Sequence, residues 1–144
     1  MNCDLMVMAE DSYVYMAFAA IALAPDGGNT QLLLNQMGYK RALQAALEGR
    51  KLPASECLEY GICNKVVAPD ALAEETREWA ARLAAGAPLA QAAVKRLMRS
   101  VGAMSFGDAI SAEGLEQTPL LKSADFQEGV RAFFSKQAPA FTGR

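Results

Sequence analysis

The apolar positions of this chain begin at strand spacing and end at helical spacing. Residues Cys3 to Ala9 (CDLMVMA) form a short apolar run closed by Glu10, Asp11 and Ser12, which reads as a buried strand. Tyr13 to Met16, two aromatics flanking a β-branched valine, predicts a second short strand. Ala17 to Ala24 is apolar without a clear period, and Pro25-Asp26-Gly27-Gly28 then breaks the chain. Asn29 or Thr30 caps an expected helix through Leu32, Leu33 and Met37, ended by Gly38. Further helices are expected over Lys40 to Leu47 and from Pro53-Ala54-Ser55-Glu56 to Gly61, with a short strand at Asn64 to Ala68.

From Pro69 onward the period is helical throughout. Leu72, Thr76, Trp79, Ala80 and Leu83 share one face of a helix that Gly86 ends. Pro88 opens the next, with Leu89, Ala93, Leu97 and Val101 as its stripe. Ser105 and Asp108 open a third, and Ser123 caps a fourth carrying Phe126, Val130, Phe133 and Phe134 at helical spacing. The pattern is a mixed α/β chain, a small β remnant followed by a mostly helical region. A first strand with apolar faces is expected to draw its neighbours from another chain or from sequence not included here.

Composition narrows the chemistry. Of 144 residues, 52% are hydrophobic, which argues against disorder. A net charge of −2 carries no nucleic-acid footprint, and no apolar run reaches membrane-spanning length. The opening does not read as a secretory signal, because Asp4 interrupts it and no basic stretch precedes it. Cys3, Cys57 and Cys63, an odd number without paired spacing, read as reduced thiols of a cytoplasmic protein. Histidine is absent, so imidazole bases, serine–histidine triads and the usual zinc sites are excluded and no metal is expected. Acid–base work falls to a carboxylate, a lysine, a tyrosine or a cysteine.

The run CDLMVMAEDSYVYMAFAAIALAPDGGNTQ resembles the middle of the crotonase superfamily, the enoyl-CoA hydratase/isomerase family. There a CD-apolar strand is followed by an acidic turn, a short strand and a Pro-x-x-Gly loop ending in Thr-Gln. The likeness continues in order through Gly38-Tyr39-Lys40-Arg41-Ala42, Glu48 to Glu56, Tyr60 to Val67, Asp125 to Phe133 and Lys136 to Phe141. It implies a ClpP/crotonase-like α/β fold, here its C-terminal half. Residues 1–68 would belong to the spiral core and 69–144 to a helical, trimerisation-type region. It further implies an acyl-CoA substrate, no cofactor beyond the coenzyme A of that substrate, and a homo-oligomer, a trimer or a dimer of trimers. The two backbone amides of the family's oxyanion hole would lie upstream of Cys3.

The same resemblance weights individual residues. Phe18 stands where hydratases of the family carry their second glutamate, which disfavours simple hydration; it also reads as a core residue or the wall of an acyl pocket. Asp26, read alone, is a turn residue, yet several members place a catalytic aspartate at this spot. Phe18 with Asp26 is most similar to isomerases of phenylacetate catabolism. Phe18, Ile21 and Leu23 would give that carboxylate an apolar, substrate-binding surround that raises its pKa, while the helix start after Gly28 would oppose the shift. Gly27 and Gly28 permit positive φ and close approach of backbone to a ligand. Phe133 and Lys136 match positions where family members contact the adenine and the 3′-phosphate of CoA, often from a neighbouring subunit.

Three functions follow from the resemblance. The first is an acyl-CoA double-bond isomerase with Asp26 as proton carrier. The second is a non-catalytic piece acting in oligomer assembly. The third is an aryl-CoA enzyme in which Asp26 is the nucleophile.

Overall fold

A computed structural model describes residues 2–144. The chain divides into two compact units, Met1–Glu78 and Trp79–Arg144.

In the first unit, strand β1 (Val7–Ala9) and strand β2 (Tyr13–Tyr15) are joined by a turn in which the Ser12 amide and hydroxyl both donate to the Ala9 carbonyl, at 3.0 and 2.6 Å. Strand β2 pairs antiparallel with β3 (Lys51–Pro53), Val14 facing Leu52. Strand β1 pairs parallel with β4 (Lys65–Val67), Met8 facing Val66. The first strand therefore finds one neighbour inside its own chain, which corrects the expectation that its neighbours lie outside. A parallel pair needs a long crossover, and residues 10–64 supply it. Among the described residues, β1 has no partner on its other side.

That crossover holds helices α1 (Asn29–Met37), α2 (Tyr39–Glu48) and α3 (Ala54–Glu59). Gly28, at φ 82°, is the residue that enters α1, and no side chain caps the helix, so neither Asn29 nor Thr30 has the capping role the sequence suggests. Leu33, Leu52 and Cys57 are fully enclosed at the centre of the unit. Ala42, Ala45 and Ala54 line the same core, and the methionines Met8, Met16 and Met37 fill around them. Arg50 grips Glu56 with one nitrogen at 2.6 and 2.8 Å from the two carboxylate oxygens, and Lys65 pairs with Glu75.

A 3-10 turn at Pro69–Ala71 leads into α4 (Leu72–Ala84), within which the chain passes from the first unit to the second. There follow α5 (Pro88–Ser100), α6 (Phe106–Leu120) and α7 (Ala124–Ser135). The Ser105 hydroxyl accepts the Asp108 amide and the Ser123 hydroxyl accepts the Phe126 amide, as the sequence signals require. Arg96 reaches from α5 to Glu116 of α6 with two bonds of 2.9 and 2.6 Å. That contact raises the arginine pKa and lowers the glutamate pKa. The core of this unit is thin: Ala93 and Ala132 are its buried apolar residues. Helical spacing is correct for α7, yet Phe126, Val130, Phe133 and Phe134 stand exposed. Among the described residues, no helix is long and apolar enough to cross a membrane.

Candidate functional site

The loop after β2 is built by a 3-10 helix, Ala17–Ile21, that ends abruptly at Ala22. Ala22 adopts the left-handed conformation, φ 60° and ψ 32°, which costs an alanine about 1 kcal/mol. The Ala22 amide bonds to the Ala19 carbonyl at 3.2 Å and the Leu23 amide to the Phe18 carbonyl at 3.0 Å, so the reversal is fixed on both sides. Gly27 and Gly28 follow with φ of 59° and 82°, conformations that suit glycine and turn the chain into α1. The Asn29 amide closes this second turn on the Asp26 carbonyl at 3.0 Å, and the Asn2 side-chain amide donates to the Gly27 carbonyl at 3.1 Å.

Asp26 sits at the tip of this loop. It is exposed, and its carboxylate has no hydrogen-bond or ion-pair partner among the described residues. Phe18 is half-buried and packs on the core of the first unit, in keeping with its reading as a core residue. Ile21 and Leu23 are 67% and 58% exposed, so they stand on the loop as open apolar surface without enclosing the carboxylate. The loop thus offers a free carboxylate, two bare aliphatic side chains and two glycines that leave the backbone accessible.

The second cluster that the sequence marks lies at the end of α7. Phe133 and Phe134 meet edge to face, ring centres 5.6 Å apart, and both are 79% exposed. Lys136 ends the helix in the left-handed conformation, φ 54° and ψ 38°. The Lys136 amide bonds the Phe133 carbonyl at 3.3 Å and the Gln137 amide bonds the Ala132 carbonyl at 3.0 Å, a Schellman pattern whose central position usually holds glycine.

Beyond Lys136 the chain folds back along α7. The Ala140 amide donates to Glu128 at 3.0 Å. The Thr142 and Gly143 amides donate one to each oxygen of Asp125, at 2.7 and 2.9 Å. The Asp125 amide in turn donates to the Arg144 carbonyl at 3.0 Å. Arg131 holds Glu128 with two bonds of 2.7 Å and donates to the Gln137 side chain at 3.1 Å. The Arg131 guanidinium, with the Ala140 amide second, holds the Glu128 carboxyl down to about 2. Phe141, carried on this returning segment, forms one wall of a 370 Å³ apolar pocket with Leu89, Phe126, Val130 and Phe133.

Sequence reasoning passed over Asp125 and Glu128. Acidic residues in the first turn of a helix are ordinary macrodipole partners. The signal that separates them is burial, since Asp125 is only 5% exposed, and burial follows from the fold-back of residues 136–144. Cys57 and Cys63 are buried, and burial pushes both thiols up, which suits packing and opposes nucleophilic use. Among the described residues no three His, Cys, Asp or Glu gather where a metal ion would be held.

The family model for enoyl-CoA hydratase/isomerase matches residues 1–144. The chain is 37% identical over 144 residues to a trans-2-decenoyl-[acyl-carrier-protein] isomerase of Streptococcus mutans, covering 98% of this chain and 54% of that protein. It is 33% identical over 141 residues to a 1,2-epoxyphenylacetyl-CoA isomerase of Escherichia coli, covering 98% and 54%. The crystal structure of an enoyl-CoA hydratase subunit I of Geobacillus kaustophilus superposes with a TM-score of 0.94 at 33% identity, over 99% of this chain and 55% of that one. The chain therefore has the crotonase-type fold over its whole length while spanning about half the length of the relatives it matches. It belongs to the enoyl-CoA hydratase/isomerase family.

Proposed function

We propose that this chain carries the proton-transfer side of an acyl-CoA double-bond isomerase, with Asp26 as the carrier. The observation behind this reading is the unpartnered Asp26 carboxylate on a loop that holds Ala22 in the left-handed backbone conformation. A residue in a sparsely populated conformation persists where its surroundings over-determine it, and such positions concentrate at functional sites. The isomerase names of two relatives point the same way.

The reaction needs one carboxylate. Asp26 as the anion takes a proton from C2 of a 3-enoyl thioester, and the electrons shift to give a dienolate. Asp26, now the acid, returns the proton to C4, leaving the 2-enoyl thioester and the carboxylate unchanged. Amide donors that steady the developing oxyanion come from residues outside these 144; each such donor typically stabilises the transition state by about 2.7–4 kcal/mol. Exposed Ile21 and Leu23 offer apolar surface to the acyl chain, and Gly27 and Gly28 let the thioester approach the backbone. Phe133 and Lys136, on the second unit, meet the adenine and the 3′-phosphate of a CoA, a contact that family members often make from a neighbouring subunit. No cofactor beyond that CoA takes part, and the enzyme works in the cytoplasm.

In the full-length protein, Asp26→Asn is expected to lower turnover of a 3-enoyl-CoA by roughly 10²- to 10⁴-fold with CoA binding retained. Unchanged turnover rejects the assignment. A covalent acyl-enzyme detected by mass spectrometry favours instead the aryl-CoA reaction with Asp26 as nucleophile.

The exposed apolar side chains of α5 to α7, Met98, Phe106, Leu115, Phe133 and Phe134, favour a second role in assembly. On this reading the helical region joins copies of the chain into a trimer or a dimer of trimers. A monomer by sedimentation at micromolar concentration argues against it.

A further inference from the structure

Lys136 occupies a position that glycine would fill at lower cost. It is one of two residues other than glycine with positive φ among the described residues, the other being Ala22 of the Asp26 loop. A left-handed lysine at a helix end is strained relative to glycine, so its surroundings must hold it.

We infer that Asp125 is a positioning residue for CoA recognition. It latches the returning segment 136–144 onto the first turn of α7 and so fixes the left-handed turn from which the Lys136 side chain leaves. This rests on the reading that Lys136 meets the 3′-phosphate. The latch is double. Asp125 takes the Thr142 and Gly143 amides, one on each carboxylate oxygen, while its own amide donates to the Arg144 carbonyl. One turn later Glu128 takes the Ala140 amide and is itself gripped by Arg131, which also holds Gln137, the residue next to Lys136. The segment is thereby tied at 137, 140, 142, 143 and 144 along the length of α7. Gly143 completes the fit: its φ is 77°, and a Cβ there would lie 3.2 Å from Pro88. With the segment released, the lysine turn is free to relax toward ordinary conformations, and the ammonium has no fixed place relative to Phe133.

The test compares coenzyme A with 3′-dephospho-coenzyme A, by titration calorimetry on the full-length protein. The unaltered protein is expected to prefer CoA by about fivefold or more, as a lysine–phosphate contact at an open site allows. Lys136→Gly is expected to abolish that preference and to raise the melting temperature, because the backbone strain is relieved. Asp125→Ala is expected to reduce the preference to near unity with Lys136 present, and Asp125→Asn, which keeps one acceptor, to an intermediate value. Should Asp125→Ala fail to fold, Gly143→Ala breaks the same latch from the other side and is read in the same way. If Lys136→Gly keeps the full preference, the CoA reading of Lys136 falls and the positioning role with it. If Lys136→Gly loses the preference but both latch variants keep it, the positioning role alone is overturned.

Discussion

Leu52 is among the largest fully enclosed side chains of the first unit, and its truncation gives a sharp test. The side chain is wholly enclosed, it faces Val14 across the β2–β3 pair, and its carbonyl accepts the Cys57 thiol at 3.4 Å. Replacing a buried leucine by alanine costs 2–5 kcal/mol, the spread reflecting how far the site collapses. Pliable Met8 and Met16 share this core and relieve part of the void, so a value of about 3 kcal/mol is expected for Leu52→Ala. With a urea dependence of about 1 kcal/mol per molar, typical of a small unit, the unfolding midpoint falls by about 3 M. Against a total stability of about 5–15 kcal/mol, that is a large fraction. Leu47→Ala is the control: Leu47 is exposed on α2, and its loss is expected within about 0.5 kcal/mol of neutral. Urea titrations followed by far-ultraviolet circular dichroism measure both. Equal midpoints for the two variants would refute the assignment of Leu52 to the core.

Three further outcomes are expected. Glu128 is depressed to about 2 in the folded chain from an ordinary 4.5, so its hold on the Ala140 amide is complete above the ordinary value and lost as pH falls through about 2. Protection of the Ala140 amide against exchange, taken relative to the intrinsic rate at each pH, should fall over that range, and Glu128→Gln should remove most of that pH-dependent change. A thiol reagent under native conditions should modify Cys3 rapidly and leave Cys57 and Cys63 untouched until denaturant is added; equal rates at all three would contradict their burial. Ser123→Ala removes the acceptor of the Phe126 amide, and thermal melts should show a loss of about 1 kcal/mol.

Most of the elements were legible because their ends carry chemistry of their own. Gly38, Gly49, Pro88, Ser105 and Ser123 mark helix boundaries, and each has the role its residue type suggests. Strand β3 escaped notice because Lys51-Leu52-Pro53 is too short for a period, and a proline ends it; only Val14 across the pair makes it a strand. The partnership of β1 with β4 was equally hidden, since pairing is a property of two distant segments and not of either one. At the candidate site, residue types and the family resemblance marked Asp26, Lys136 and the glycines. Conformation did not show: nothing in Ala22 or Lys136 announces a left-handed backbone, and nothing in Asp125 announces the amides it accepts. Those features arise from the path of the chain around them.

The parallel β1–β4 ladder also sets the order in which this polypeptide can acquire structure. It joins positions 58 apart, through the Met6 amide on the Asn64 side chain as well as the strand pairing itself. Contacts of such long sequence separation require loop closure before they are rewarded, and they slow folding. During synthesis the β1–β4 ladder must wait until Val66 has left the ribosome, whereas α5, α6 and α7 form from neighbouring residues as they emerge. Apolar surface that this ladder covers stays open until it closes, and substitutions that weaken β4 would be felt first as lost yield.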